Sequence, residues 1–137
     1  MTNASVGLTV THRRYIPYSH AHYAGNLVDG AYVLGLFGDV ATEVCIVADG
    51  DEGLFASYSD VQFLQPLRAG DIVEVKATIS RVGNRSREIT FEASVVCRGR
   101  ADLSESAAEV LAEPLLITKA VGTVVVPVSD SVADKTQ

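Results

Sequence analysis

Two carboxylates, Asp39 and Glu43, are the side chains in this sequence best suited to chemistry. They lie four positions apart in a stretch with helical periodicity, so they stack on one face of the predicted helix. Gly35 and Gly38 share that face and leave space through which another molecule can approach the acids. Because Asp and Glu are seldom buried without a partner or a function, this face predicts an active site.

A purely structural explanation of the same residues is open. The acids could lie on a solvent-exposed strip or pair with arginines elsewhere in the chain, and the glycines could only let a strand pack closely. The preceding turn favours catalysis, because Gly25-Asn26 supplies turn residues and Asp29 suits an N-cap. The backbone N–H groups of Gly30 and Ala31 would then face outward at the positive end of the helix dipole, ready for an oxygen that gains negative charge.

The helix that carries the acids is apolar on its other faces as well. Its apolar residues from Asp29 onward recur at helical spacing and also fill the flanks; they are Tyr32, Val33, Leu34, Leu36, Phe37, Val40, Val44, Ile46 and Val47. Such a helix must be surrounded by protein on most sides.

The rest of the chain alternates with period two, which is typical of strands. Strands are predicted over 6–15, 54–64, 72–82, 89–97 and 115–126, and a capping box of Ser106 and Glu109 predicts a short helix within 98–114. One strand, one long helix and four strands joined by tight turns predict an α+β fold, an antiparallel sheet of about five strands curled round its helix. We expect one domain over 7–127 and a loose tail over 128–137.

Composition narrows the classes of partner. The 137 residues suit one domain, and a hydrophobic content of 47% with mean hydropathy +0.22 predicts apolar surface hidden in a homo-oligomer. A net charge of -6 argues against a nucleic-acid partner. The hydrophobic runs are short and interrupted, which predicts no membrane span, and no signal-peptide pattern begins the chain, so a cytoplasmic protein is expected.

No metal or other cofactor is expected. His20 and His22 lie two residues apart, but no third ligand completes a recognised set. These histidines are therefore expected to be structural or to line a pocket beside Asp39. Cys45 and Cys97 follow no ligand spacing and are expected to be buried and reduced.

A small basic cluster lies in and around the predicted turn at 83–85, against an acidic background. Its members are Arg81, Asn84, Arg85, Ser86 and Arg87. Arginine matches phosphate geometry, so the cluster predicts a phosphate-sized binding site. The alternative is a solvated hairpin whose arginines pair with Glu88 or Asp71.

The central motif resembles a known enzyme family. The run AHYAGNLVDGAYVLGLFGDVATE, followed by DGDEGLFASYSDVQFLQPLRAGD, is similar to the small hotdog-fold ammonia-lyases that act on 3-aminobutyryl-CoA or beta-alanyl-CoA. The segments VQFLQPLRAGD, SRVGNRSREITFEA and KAVGTVVVP resemble strand signatures that hotdog thioesterases share. The resemblance covers residues 15–126 and departs at Ala24, where the family more often has a glycine.

The resemblance implies a fold, a reaction and an assembly. The fold is a hotdog, and the reaction is reversible elimination of ammonia from a 3-aminoacyl-CoA to give the 2-enoyl-CoA, as in amino-acid fermentation such as lysine degradation. Family dimers build their sites across the subunit interface, which implies a homodimer, assembled further as a trimer of dimers. The partners implied are the acyl-CoA substrate and ammonia.

Each step of that reaction has a candidate residue. Asp39 is the expected base for the C2 proton, since burial makes a carboxylate a stronger base. Glu43 is expected to bind the substrate ammonium, and Asp29 is the alternative for either role. Donors to the enolate oxygen are expected from the backbone of Gly30 and Ala31. Lining residues of the substrate pocket are expected to be His22, Tyr23 and Asn26, and the basic cluster is expected to bind coenzyme A.

Two other functions are compatible with the sequence. An acyl-CoA thioesterase on the same fold would use one acid to activate water and would need only Asp39. A non-catalytic acyl-CoA-binding subunit would need neither acid.

Overall fold

The computed structural model describes residues 4–127. In chain order the elements are β1 (Thr9–Tyr15), β2 (Leu27–Val28), α1 (Gly30–Asp49), β3 (Leu54–Phe63), β4 (Leu67–Arg68), β5 (Ile72–Val82), β6 (Ser86–Gly99) and β7 (Ala108–Val125). Five strands form one antiparallel sheet in the order β1-β5-β6-β7-β3, and β2 pairs with β4. The helix packs against β1, β5 and β6. This is the predicted hotdog arrangement; the predicted tail at 128–137 lies outside the described residues.

The core lies between α1 and one face of the sheet. Its helical part consists of Val33, Phe37, Val40, Ala41, Val44, Cys45 and Ala48, all of them buried. The Phe37 ring stacks on Phe91 of β6 with 4.9 Å between centroids. Gly50 ends the helix with φ of 67°, a left-handed conformation that glycine adopts without strain, and its N–H donates to the Ile46 carbonyl at 2.8 Å.

One chain covers only one side of α1. Ile46 and Val47 remain 46% and 45% exposed, so the predicted enclosure of the helix on most sides is not provided within the chain. The prediction that no segment is long and apolar enough to span a membrane was wrong. α1 has 20 residues and contains a window with mean hydropathy 1.7, so it meets that criterion by length and composition. In this structure the helix is part of the core, and its buried apolar residues pack against the sheet.

The hairpin of β5 and β6 follows the predicted alternation. β5 occupies 72–82 as predicted, and its inward residues pair with inward residues of β6, as in Val75 with Ala93 and Ile79 with Ile89. All four of these side chains are fully buried. Alternate residues form the opposite face of the sheet, which is why the pattern was readable from sequence.

The predicted short helix within 98–114 is wrong. β7 begins at Ala108, and Glu109 pairs with Arg98 of β6 in the sheet register. A helix there would leave the edge of β6 at residues 97–99 unpaired, whereas pairing with residues 108–110 satisfies more backbone groups than one helical turn would. Pro114, which has no N–H to donate, falls where the register shifts between Leu115 and Val110.

Candidate active site

The outer face of α1 carries the two acids beside open space. Asp39 and Glu43 are both exposed in this single chain and lie on the same side of the helix. A methyl group built onto Gly35 or Gly38 would meet no atom within 4 Å. The strip therefore presents two carboxylates on a surface that another molecule can approach closely.

Asp39 is unpaired within the described part of the chain. Among residues 4–127 its carboxylate makes no hydrogen bond and no ion pair, so the predicted alternative of an arginine partner is not realised within the chain. Its exposure also means that one chain does not supply the burial expected for a strengthened base.

Glu43, by contrast, is held by a histidine that sequence reasoning missed. His12 Nε2 lies 2.6 Å from Glu43 Oε1, and the side chains are 16% and 53% exposed. The other ring nitrogen, Nδ1, lies 3.3 Å from Nη2 of Arg14. Period two could have revealed the histidine, because His12 continues the alternation of Leu8 and Val10, which pack against the core.

The first turn of α1 has backbone donors that no described residue accepts. Asp29 occupies the predicted N-cap position, but its side chain makes no capping hydrogen bond. The Tyr32 N–H already bonds to the Asp29 carbonyl at 3.2 Å, whereas the N–H groups of Gly30 and Ala31 have no acceptor among the described residues. The Phe63 ring covers Gly30 so closely that a methyl group there would lie 2.6 Å from Cε1 of the ring.

A groove of about 320 Å³ opens beside this turn. Its lining consists of Val28, Gly30, Val33, Phe63, Leu64, Gln65, Pro66, Leu67 and Thr118. Thr118 is only 2% exposed, and its hydroxyl has no hydrogen-bond partner within residues 4–127. Neither Asp39 nor Glu43 lines the groove. Within one chain, the helix N-terminus and the acids therefore belong to different surfaces.

The predicted pocket residues of the 20–26 turn are exposed and do not line this groove. His22 and Tyr23 stack edge to face at 4.6 Å, and their N–H groups both donate to the Leu27 carbonyl. Asn26 adopts a left-handed φ of 62°. His20 Nδ1 lies 2.7 Å from the Tyr32 hydroxyl. The described chain contains no group of three residues able to hold a metal ion.

The basic cluster divides into buried and exposed members. The prediction that Arg87 binds phosphate was wrong, because its side chain is 5% exposed and forms an ion pair with Asp49. The same guanidinium donates to the carbonyls of Gly83 and Ser86 and is not available to a phosphate in solvent. Asp49 is the last residue of α1, and its side chain is only 6% exposed.

The remaining members of the cluster face solvent to different degrees. Arg81 lies 3.6 Å from Glu88, as the solvated-hairpin alternative predicted. Asp71 pairs with Arg98 instead of with a cluster residue. Arg85 is exposed and makes no ion pair within the described chain. Exposed Asn84 and partly buried Ser86 flank it.

The two cysteines differ in exposure. Cys45 is buried and reduced, as predicted, and burial raises the pKa of its thiol to about 11. Cys97 is also reduced but only partly buried, because β6 emerges from the core near its end.

Comparison with known proteins shows the family to which this chain belongs. Residues 25–100 match the thioesterase superfamily. The chain is 53% identical over 107 residues to a 3-aminobutyryl-CoA ammonia lyase from Acetoanaerobium sticklandii, covering 78% of this chain and 85% of that protein. It also superposes on the beta-alanyl-CoA:ammonia lyase of Clostridium propionicum with a TM-score of 0.84 and 35% identity, covering 89% of this chain and 87% of that one. The chain belongs to the hotdog-fold family of 3-aminoacyl-CoA ammonia-lyases.

A more distant relative shares only the fold. The structure matches a hexameric hotdog thioesterase of Campylobacter jejuni with a TM-score of 0.70 at 20% identity, covering 92% of this chain and 86% of that one. The ammonia-lyase family therefore uses the same layered scaffold as thioesterases, and the difference between them must lie in side chains placed on it.

Proposed function

We propose that this protein is a carbon–nitrogen lyase that reversibly removes ammonia from a 3-aminoacyl-CoA to give the 2-enoyl-CoA. The observation that carries the proposal is the pair of carboxylates, Asp39 and Glu43, on a strip of α1 left open by Gly35 and Gly38. A substrate with an acidic C2 proton and a neighbouring ammonium offers a role to each carboxylate, one as the base and the other as the ammonium ligand. The 53% identity to a 3-aminobutyryl-CoA ammonia lyase supports the same reaction.

In the proposed mechanism the acids divide the work. Asp39 takes the proton from C2, and the electron pair moves into an enolate whose oxygen accepts hydrogen bonds from the N–H groups of Gly30 and Ala31. Glu43 holds the amine as ammonium, so that it leaves as NH₃ when the C2–C3 double bond forms. The C2 proton then passes from Asp39 to ammonia or to water. Asp29, whose carboxylate has no capping bond, is the alternative for either role.

This mechanism requires a second subunit. The acids do not line the groove at the helix N-terminus, and Asp39 is exposed in one chain. A partner packed on α1 would bury Asp39, cover exposed Ile46 and Val47, and bring its own helix N-terminus toward the acids. We therefore propose a homodimer with shared sites, assembled further as a trimer of dimers, in the cytoplasm.

The substrate would lie in two regions. The groove would receive the acyl thioester beside Gly30, with the Thr118 hydroxyl and the exposed turn residues His22, Tyr23 and Asn26 available as polar contacts; this use of the turn requires the partner subunit to close the pocket. The phosphates of coenzyme A would bind Arg85, supported by Arg81, Asn84 and Ser86.

The test is an assay of the purified protein with crotonyl-CoA or acryloyl-CoA and ammonium. Loss of the enoyl thioester without release of free thiol is the expected result. Release of thiol at the same rate as thioester loss would overturn the proposal.

Thioester hydrolysis is the second candidate, because residues 25–100 match the thioesterase superfamily. A hydrolase would need one acid to activate water, so Glu43→Gln should leave hydrolysis nearly intact while badly impairing a lyase. Retention of the only measurable activity by the Glu43→Gln variant would therefore favour the hydrolase.

A further inference from the structure

Glu43 is anchored by a polar chain that begins on the edge strand of the sheet. His12 reaches from β1 to α1, where Nε2 lies 2.6 Å from Glu43 Oε1. On the far side of the ring, Nδ1 lies 3.3 Å from Nη2 of Arg14. The His12 side chain is 16% exposed, so the surrounding protein holds the ring in place.

The arginine fixes which ring nitrogen carries the proton. A guanidinium can only donate hydrogen bonds, so His12 Nδ1 must act as the acceptor toward Arg14. The proton then lies on Nε2, which donates to Glu43. In this arrangement the ring lies between the two charged groups, and the positive charge of Arg14 is kept one ring away from the carboxylate.

A single ring N–H donor suits a carboxylate that must bind an ammonium group. An exposed glutamate otherwise samples several rotamers, and this freedom is lost when a ligand binds. His12 holds one oxygen, Oε1, and leaves Oε2 free. A lysine or arginine in the same place would orient the carboxylate too, but it would also neutralise the charge that attracts the substrate.

Asp39 provides an internal comparison. It lies one helical turn before Glu43 on the same strip, yet it has no hydrogen-bond partner within residues 4–127. The orienting contact is therefore specific to one of the two acids, in agreement with different tasks for the two.

We propose that His12 is a positioning residue that orients Glu43 toward the ammonium group of the substrate, with Arg14 setting the tautomer of the imidazole. The inference rests on the proposed lyase function, in which Glu43 binds ammonium. It assigns His12 no contact with the substrate.

The test measures both Michaelis constants in the addition direction, with crotonyl-CoA and ammonium as substrates. His12→Leu should raise KM for ammonium about tenfold, the loss typical of one hydrogen bond to a charged group. KM for crotonyl-CoA should change by less than about twofold, since the enoyl thioester carries no ammonium. His12→Gln, which keeps an N–H donor, should recover most of the ammonium affinity.

A double substitution separates positioning from a general structural effect. Because His12 acts through Glu43, His12→Leu combined with Glu43→Gln should be no worse for ammonium than Glu43→Gln alone. Equal increases in both Michaelis constants, together with a lower melting temperature, would overturn the proposal in favour of a structural role. An unchanged KM for ammonium in His12→Leu would overturn it as well.

The same experiment distinguishes this inference from the proposed function. A wild-type protein that releases thiol instead of adding ammonia would overturn the lyase function itself. An active lyase in which Glu43→Gln raises KM for ammonium, but His12→Leu does not, would overturn only the role of His12.

Discussion

Arg87 and Asp49 form a bidentate ion pair inside the protein, with Nε 2.9 Å from Oδ2 and Nη2 2.8 Å from Oδ1. Asp49 is the last residue of α1 and Arg87 is the second residue of β6, so the pair fastens the end of the helix to the sheet. The hydrogen bonds to Asp49 raise the pKa of the Arg87 guanidinium, although burial opposes this. The contact stabilises the protein only while both partners are present.

Arg87→Ala should therefore destabilise the fold strongly. The substitution leaves a buried carboxylate without its cation, which costs about 3 to 5 kcal/mol in free energy of unfolding. Urea unfolding at pH 7 and fixed protein concentration measures the loss. Arg85→Ala is the matched control in the same hairpin and should change stability by less than about 0.5 kcal/mol. A similar small change in both variants would contradict the structural role of Arg87.

Arg85→Glu should weaken coenzyme A binding without changing the fold. The side chain is exposed and unpaired in the described chain, so it is free to meet a phosphate. We expect KM for the acyl-CoA to rise about tenfold, as loss of a charge-assisted hydrogen bond predicts. KM for the corresponding pantetheine thioester, which lacks the nucleotide, should stay the same. Arg13→Glu, outside the hairpin, is the control; equal effects on both thioesters would refute the phosphate contact.

Substitutions of the two acids should have different effects on elimination and on C2 hydrogen exchange. Asp39→Asn removes the proposed base and should reduce both by about 10² to 10⁴. Glu43→Gln keeps the base and should impair elimination more than exchange of C2 hydrogen for deuterium. Mass spectrometry of the recovered thioester measures exchange. Near-normal exchange in Asp39→Asn would transfer the base role to Asp29.

Cys45 should resist thiol reagents in the folded protein. Burial raises its pKa to about 11 from an ordinary value near 9, so at pH 8 almost no thiolate forms. A colorimetric disulfide reagent should modify Cys97 first and Cys45 only after denaturation, with Cys97→Ser leaving no fast-reacting thiol. Between pH 9 and 11 the unfolded chain holds fewer protons at this site than the folded one, so its contribution makes stability fall as pH rises. Rapid reaction of both thiols at pH 8 would contradict this expectation.

Thr118→Val should not destabilise the protein. Its hydroxyl is buried without a partner in the described chain, and valine has nearly the same shape. We expect the melting temperature to stay constant or to rise. The gain in free energy of unfolding should be at most about 1 kcal/mol. A clear decrease would reveal a hydrogen bond that a second subunit or bound water provides. Thr90→Val, which removes a bond to the Thr78 carbonyl, is the control that should lose stability.

Strict alternation made most of the sheet predictable, whereas contacts between distant elements were not. The 72–82 strand and the helix after Asp29 follow from local periodicity alone. The phosphate site predicted for Arg87 rested on the charge of the side chain. The alternation of β6 predicts an inward position instead, because Arg87 lies on the same face as Ile89 and Phe91. The partner Asp49, 38 residues away, could not be read from the sequence.

The candidate site shows the same division. The shared face of Asp39 and Glu43 is a property of one helix, so spacing predicted it. The contact of Glu43 with His12 spans 31 residues and depends on where β1 docks, which no local pattern determines. Capping-box chemistry at Ser106 and Glu109 misled the prediction, because the tertiary pairing with β6 replaced a weak local preference.

The place of β1 in the sheet also sets the order in which the site can form. β5, β6 and β7 are neighbours in sequence and can pair through short connections, whereas β1 joins β5 only after a loop of more than fifty residues closes. We expect the central meander to nucleate folding and β1 to dock late. The edge strand should also detach first in native-state hydrogen exchange, taking His12 away from Glu43 while the core is still intact.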